Sequence, residues 1–152
     1  MVTHVRQPEP YGCAVACCAM VRAVSYEETA EVFGPPGRGF THMVWQDYLA
    51  RYGFATQILY QFDQLSRRKR DPWPLNPWAD LHLCSVDAGH GIGSHLVLLL
   101  RNGTVLDPAT DAPRSLSDYA SVAYMAGVFR VGALPFAPVN KDKTNAECAL
   151  VS

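Results

Sequence analysis

The sequence predicts an α+β domain: N-terminal helices, one of them buried at the centre, packed on a small antiparallel sheet. Three observations predict it. The first third of the chain reads as helices and the remainder as short strands, an order that favours α+β over alternating α/β. The stretch from Gly12 to about Val24, GCAVACCAMVRAV, is apolar on nearly every face, and a helix apolar all round belongs inside a protein. Finally, 152 residues with 49% hydrophobic and 18% charged side chains make one domain's worth of chain, too apolar for global disorder.

The elements follow in order. Ser25 with Glu28 three residues on forms a capping box, so a second helix runs to about Phe33, and Gly34-Pro35-Pro36-Gly37 ends it. Thr41 to Tyr52 reads as a third helix, with Val44, Tyr48 and Leu49 at helical spacing and Gly53 as its stop. Phe54 to Phe62 and Leu81 to Val86 read as strands. Gln64 to Arg70 is a short helix or a loop, Asp71 to Pro77 a proline-rich surface segment, and Ala88 to Ser94 a glycine-rich loop. His95 to Leu100, a turn at Arg101-Asn102-Gly103, and Thr104 to Leu106 form the clearest hairpin. Ser115 to Tyr119 is expected as a short helix and Gly127 to Val131 as a final strand. The domain is expected to end near residue 138, with 139–152 a disordered tail.

Thirteen basic against 14 acidic residues leave a formal net charge of −1. That removes any whole-chain electrostatic case for nucleic acid. No apolar run nears the ~20 residues of a membrane span. Met1 to Pro10 is polar and broken by proline, so no signal peptide is expected, and a cytoplasmic location follows. The five cysteines, Cys13, Cys17, Cys18, Cys84 and Cys148, are odd in number and include no CxxC pair. In a reducing compartment they stay free.

Cys13 opens the buried helix, where unpaired N–H groups and the macrodipole favour negative charge and lower a thiol pKa. Gly12 before it leaves room for a substrate to approach the sulfur. Cys17 and Cys18 lie a turn deeper and read as packing. A nucleophilic cysteine needs a base and the base an orienting group. His95, at the start of the best strand and directly after Ser94, is the candidate base. His90, in the glycine loop, competes with it. Asp107 is the candidate orienter, and the hairpin decides its geometry. A two-residue loop pairs Asp107 with Leu98, on the face opposite His95. A three-residue loop with Gly103 left-handed pairs it with Val97, on the same face as His95 and diagonal to it, about 7–8 Å away. Gln7, six residues before Cys13, offers a side-chain amide which, with the Cys13 N–H, would hold an oxyanion.

Gln7, then Cys13 opening CAVACCAM, then SHLVLLL, then TVLDPAT together resemble a papain-like cysteine peptidase, and within that superfamily most resemble the bacteriocin-processing, double-glycine leader peptidases. The resemblance covers about Val5 to Thr110 and departs from the usual pattern at Gly12 and Ala14. It implies a papain-like fold and a cysteine peptidase or amidase acting on a peptide or protein. Cys13 would be nucleophile, His95 base, Asp107 orienter and Gln7 oxyanion donor, with Gly12 and Ser94 near the substrate and no cofactor. The same residues would also serve an acyl transferase, and the same fold a non-catalytic peptide-binding module.

Other features carry less. HGIGSH presents two histidines but no third ligand at metal spacing, so no metal is expected. The glycine loop leads into a strand rather than a helix and is not a phosphate cradle. Arg67, Arg68, Lys69 and Arg70 form a basic run that reads as a solvated loop or as a dock for an acidic partner. Trp73 and Trp78 flank prolines beyond it.

Overall fold

The computed structural model describes residues 1–60, 75–87 and 94–132. The expectations for Gln61 and Phe62, Gln64 to Arg70, Trp73, the loop around His90, the boundary at 138 and Cys148 lie outside the described residues.

Three helices precede and flank a five-stranded sheet, as the α+β reading requires. Helix α1 is Cys13–Arg22, α2 is Tyr26–Phe33 and α3 is His42–Arg51. Every residue of α1 from Ala14 to Val21 is buried. The helix stops at Ala23, whose left-handed φ of 58° lets the Val24 N–H reach back to the Ala19 carbonyl at 3.0 Å. Ser25 caps α2, its hydroxyl accepting the Glu28 N–H at 3.1 Å. In α3 the inward residues are Trp45, Tyr48 and Leu49. Val44, expected inside, is half-buried because Trp45 takes the inward position.

The strands are β1 Phe54–Tyr60, β2 Leu81–Asp87, β3 Ser94–Leu100, β4 Val105–Leu106 and β5 Ser121–Arg130. They lie in the order β1-β5-β2-β3-β4, with every pairing antiparallel. One face of the sheet packs on the helices through Leu83, Leu96, Leu98, Leu106, Ala126 and Val128. The other buries Cys84, Val97, Leu99, Val105 and Met125 beneath Leu116 and Tyr119. Each fully buried aliphatic side chain contributes roughly 1.5–3 kcal/mol, so the two layers are the main source of cohesion.

The last strand corrects the sequence reading. It begins at Ser121, six residues before Gly127, and sits in the interior of the sheet between β1 and β2. Its run Met125 to Val128 is buried on both faces and lacks the polar–apolar alternation that marks a strand in sequence, and Ala123, Ala126 and Gly127 have low strand propensity. At Gly127 the packing is close: a Cβ would lie 3.2 Å from the Ala79 side chain and 3.4 Å from that of Asn76.

Candidate active site

The first side chain comes from the start of α1. Tyr11 has a φ of +64°, unusual for an aromatic residue, and the chain turns there so that the Gly12 N–H meets the Glu9 carbonyl at 3.3 Å. Cys13 then opens the helix half-buried, with no acidic residue in its first turn. Its sulfur accepts from the Ala14 N–H, one of the amides a helix leaves unpaired at its start.

The sheet meets this helix at an edge left open by proline. The Leu100 N–H donates to Thr104 at 2.9 Å. Alternate residues of β3, Leu98 and Leu96, therefore turn their backbone groups the same way. Leu98 pairs with Leu106, and continuing that register sets Pro108 opposite Leu96. Proline has no N–H to give, and β4 ends at Leu106. Helix α1 supplies what is missing. The Cys17 thiol donates to the Leu96 carbonyl at 3.4 Å, and the Leu96 N–H donates to the Cys13 sulfur. Residues four apart share a helix face, so the two cysteines clasp one residue of β3.

The hairpin takes its three-residue form. Gly103 has φ +90°, its N–H reaches Leu100 at 3.0 Å, and Leu99 pairs with Val105. That register puts Asp107 on the face of His95, away from the helices. The His95 Nε2 and the Asp107 Oδ1 are 2.6 Å apart. With Nε2 engaged, Nδ1 is the nitrogen left for the hydrogen bond between His95 and Cys13. The three side chains thus meet around the edge of β3, the cysteine from the helix side and the other two from the opposite face.

Their ionisation is mutually reinforcing. Burial pushes the Cys13 thiol up, but the hydrogen bonds from His95, Leu96 and Ala14 outweigh it and hold the thiol below its ordinary value. Burial pushes His95 down, yet its bonds to Asp107 and Cys13 raise it to about 9. Burial raises Asp107, and the donors His95, Tyr119 and Ala109 bring it down to about 2. This is the pattern of a thiolate–imidazolium pair backed by a carboxylate. Cys17 and Cys18 are pushed well up by burial, and Cys84 to about 12. Among the described cysteines, Cys13 alone is held below the ordinary thiol value, while Cys17, Cys18 and Cys84 are raised above it.

Gln7 is tied nearby. Its backbone N–H donates to the Pro108 carbonyl at 3.0 Å, beside Asp107. Its side-chain Nε2 donates at 3.1 Å to the Glu9 carbonyl, the same oxygen that accepts from Gly12. The amide therefore lies next to the start of α1 with one of its two hydrogens engaged. His4 fastens the same loop, its Nε2 2.8 Å from the Asp107 carbonyl oxygen.

The space that a Cβ on Gly12 would fill holds the Tyr26 hydroxyl, which donates to Glu9 at 2.9 Å. Ser94 is exposed at the start of β3, opposite Asp87. His90 lies outside the described residues. Among the described residues no cluster of three or more His, Cys, Asp or Glu side chains suits a metal. Sequence reasoning missed Tyr119, whose hydroxyl donates to Asp107 Oδ2 at 2.7 Å. In sequence it reads only as the end of a short helix, and no spacing signal links it to Asp107.

Among the solved structures that share this architecture are two peptidase domains. One is a double-glycine-motif protease from an AMS/PCAT transporter, in complex with the leader peptide. It has a TM-score of 0.57 and 17% identity, over 86% of this chain and 92% of that one. The other is the peptidase domain of Streptococcus ComA, a bi-functional ABC transporter involved in a quorum-sensing pathway. It has a TM-score of 0.60 and 16% identity, over 86% of this chain and 99% of that one. The fold is that of the papain-like, double-glycine peptidase domains. No family model and no curated protein matches the chain. No described helix is long and apolar enough to cross a membrane.

Proposed function

We propose that the chain is a cysteine peptidase acting through Cys13, His95 and Asp107, with Gln7 as oxyanion donor. The observation that carries this reading is the continuous hydrogen-bonded line from the Cys13 sulfur through His95 to Asp107, on a fold shared with cysteine peptidase domains. The Cys13 thiolate attacks a peptide carbonyl. The charge developing on oxygen is met by the Cys13 N–H and the free hydrogen of the Gln7 amide. His95, protonated by its surroundings, gives its proton to the leaving amine, and water then cleaves the thioester with His95 as base. Asp107 holds the imidazole and its charge. Gly12 and Ser94 flank the approach to the sulfur.

A peptide substrate is supported by the leader peptide bound to one neighbour. Free thiols at Cys13, Cys17, Cys18 and Cys84 suit a reducing, cytoplasmic setting. The test is hydrolysis of peptides carrying a Gly-Gly motif, followed by mass spectrometry. Cleavage by the native chain that disappears in Cys13→Ala and His95→Ala supports the reading. Cleavage that persists in Cys13→Ala overturns it.

A further inference from the structure

The Asp107 carboxylate is 5% exposed, and both its oxygens are occupied. Oδ1 accepts from His95 and, at 2.8 Å, from the Ala109 N–H. Oδ2 accepts only the Tyr119 hydroxyl among the described contacts. The chain fixes Tyr119 from both sides. Upstream, Arg114 bridges Val105 through two backbone bonds of 2.8 and 2.9 Å, and Ser115 caps a 3-10 turn, Leu116–Asp118. Downstream, the Ala120 N–H reaches the Asp87 carbonyl at 3.3 Å. The ring itself packs beside Leu116 on the face that carries His95 and Asp107.

A carboxylate held at one oxygen can swing about its Cβ–Cγ bond and offer either oxygen to the imidazole. Held at both, it has one plane. We propose that Tyr119 is a positioning residue of this site: its phenol locks the Asp107 plane, and through it the His95 ring, so that Nδ1 stays on the Cys13 sulfur. The inference rests on the proposed roles of Cys13, His95 and Asp107. Burial and the Asp107 charge both raise Tyr119, so it is a donor at neutral pH. The other charges acting on it are Arg114 and Asp118. Asp107 faces His95, and Cys13 faces His95, Tyr26 and Tyr124.

The experiment measures the rate of Cys13 alkylation by iodoacetamide from pH 4 to 10, read by peptide mass spectrometry. Tyr119→Phe removes the donor and keeps the ring. Leu116→Ala loosens the same apolar cluster without touching Asp107. His95→Ala removes the thiol's partner. In Tyr119→Phe the acid limb should move up by about one pH unit, with about tenfold slower alkylation below it. In Leu116→Ala the limb should stay in place. A Tyr119→Phe profile equal to the native one, or an equal displacement in Leu116→Ala, overturns the proposal. If His95→Ala also leaves the native profile unchanged, the triad reading falls with it. If His95→Ala raises the limb while Tyr119→Phe does not, the role of Tyr119 alone is lost.

Discussion

Asp107→Asn tests the electrostatics of the site with little change of shape. In the native chain His95 is raised from 6.5 to about 9, against the effect of its burial, and Asp107 is the leading cause. An amide carries no charge to offset the imidazolium, while the burial remains and Cys13 still contributes. His95 should therefore fall by about two pH units, to near 7. At pH 8 the protonated share would drop from about 90% to about 10%. The assay is a histidine NMR titration, with the His95 resonance assigned by its loss in His95→Gln. The same substitution removes a pH-dependent stabilisation. Asp107 lies at about 2 instead of 3.8, worth ~2 kcal/mol that is present above 3.8 and lost as pH falls through 2. The His95 contribution has the opposite sense: it is complete below 6.5 and lost as pH rises through about 9. The two shifts share the His95–Asp107 bond and therefore do not simply add; Cys13 also raises His95, and Tyr119 and Ala109 also lower Asp107. A His95 that titrates near 9 in Asp107→Asn, or near 6.5 in the native chain, would refute this reasoning.

Three further outcomes are expected. Gly12→Ala should destabilise by about 1–3 kcal/mol through overpacking against Tyr26, and Tyr26→Phe in the same chain should recover part of it; denaturant unfolding of the single and double variants measures both. Gly103→Ala meets no atom within 4 Å but must adopt φ +90°, so it should cost about 1 kcal/mol or more through backbone strain alone, again read by denaturant unfolding. Cys17→Ala leaves the buried Leu96 carbonyl without its donor, at a cost of roughly 1–3 kcal/mol, and Cys17→Ser should restore most of that stability by supplying a hydroxyl.

Much of the framework is legible in local sequence. A continuous apolar run marks α1, Ser25 and Glu28 mark the start of α2, and Arg101-Asn102-Gly103 marks the hairpin. Such signals are local because capping, turn formation and left-handed glycine depend on a few neighbouring atoms. Cys13, His95 and Asp107 were readable as candidates for the same reason: each sits at a recognisable boundary, at a helix start, at a strand start and after a hairpin. The interior strand was not. Between Ser121 and Gly127 the chain holds Ser, Ala and Gly residues of low strand propensity, and what makes it a strand is the pairing with β1 and β2 on either flank.

By itself, then, the sequence determined the helices-then-sheet order, the hairpin and which residue types stood ready for thiol chemistry. Tertiary structure alone decided how they meet. Three loop residues put Asp107 on the face of His95. Pro108 left Leu96 open to Cys13 and Cys17, and Tyr119, 12 residues beyond Asp107, closed over its second oxygen. These outcomes depend on register and on contacts between distant segments, and an isolated segment carries no trace of the partner that will satisfy its buried polar groups.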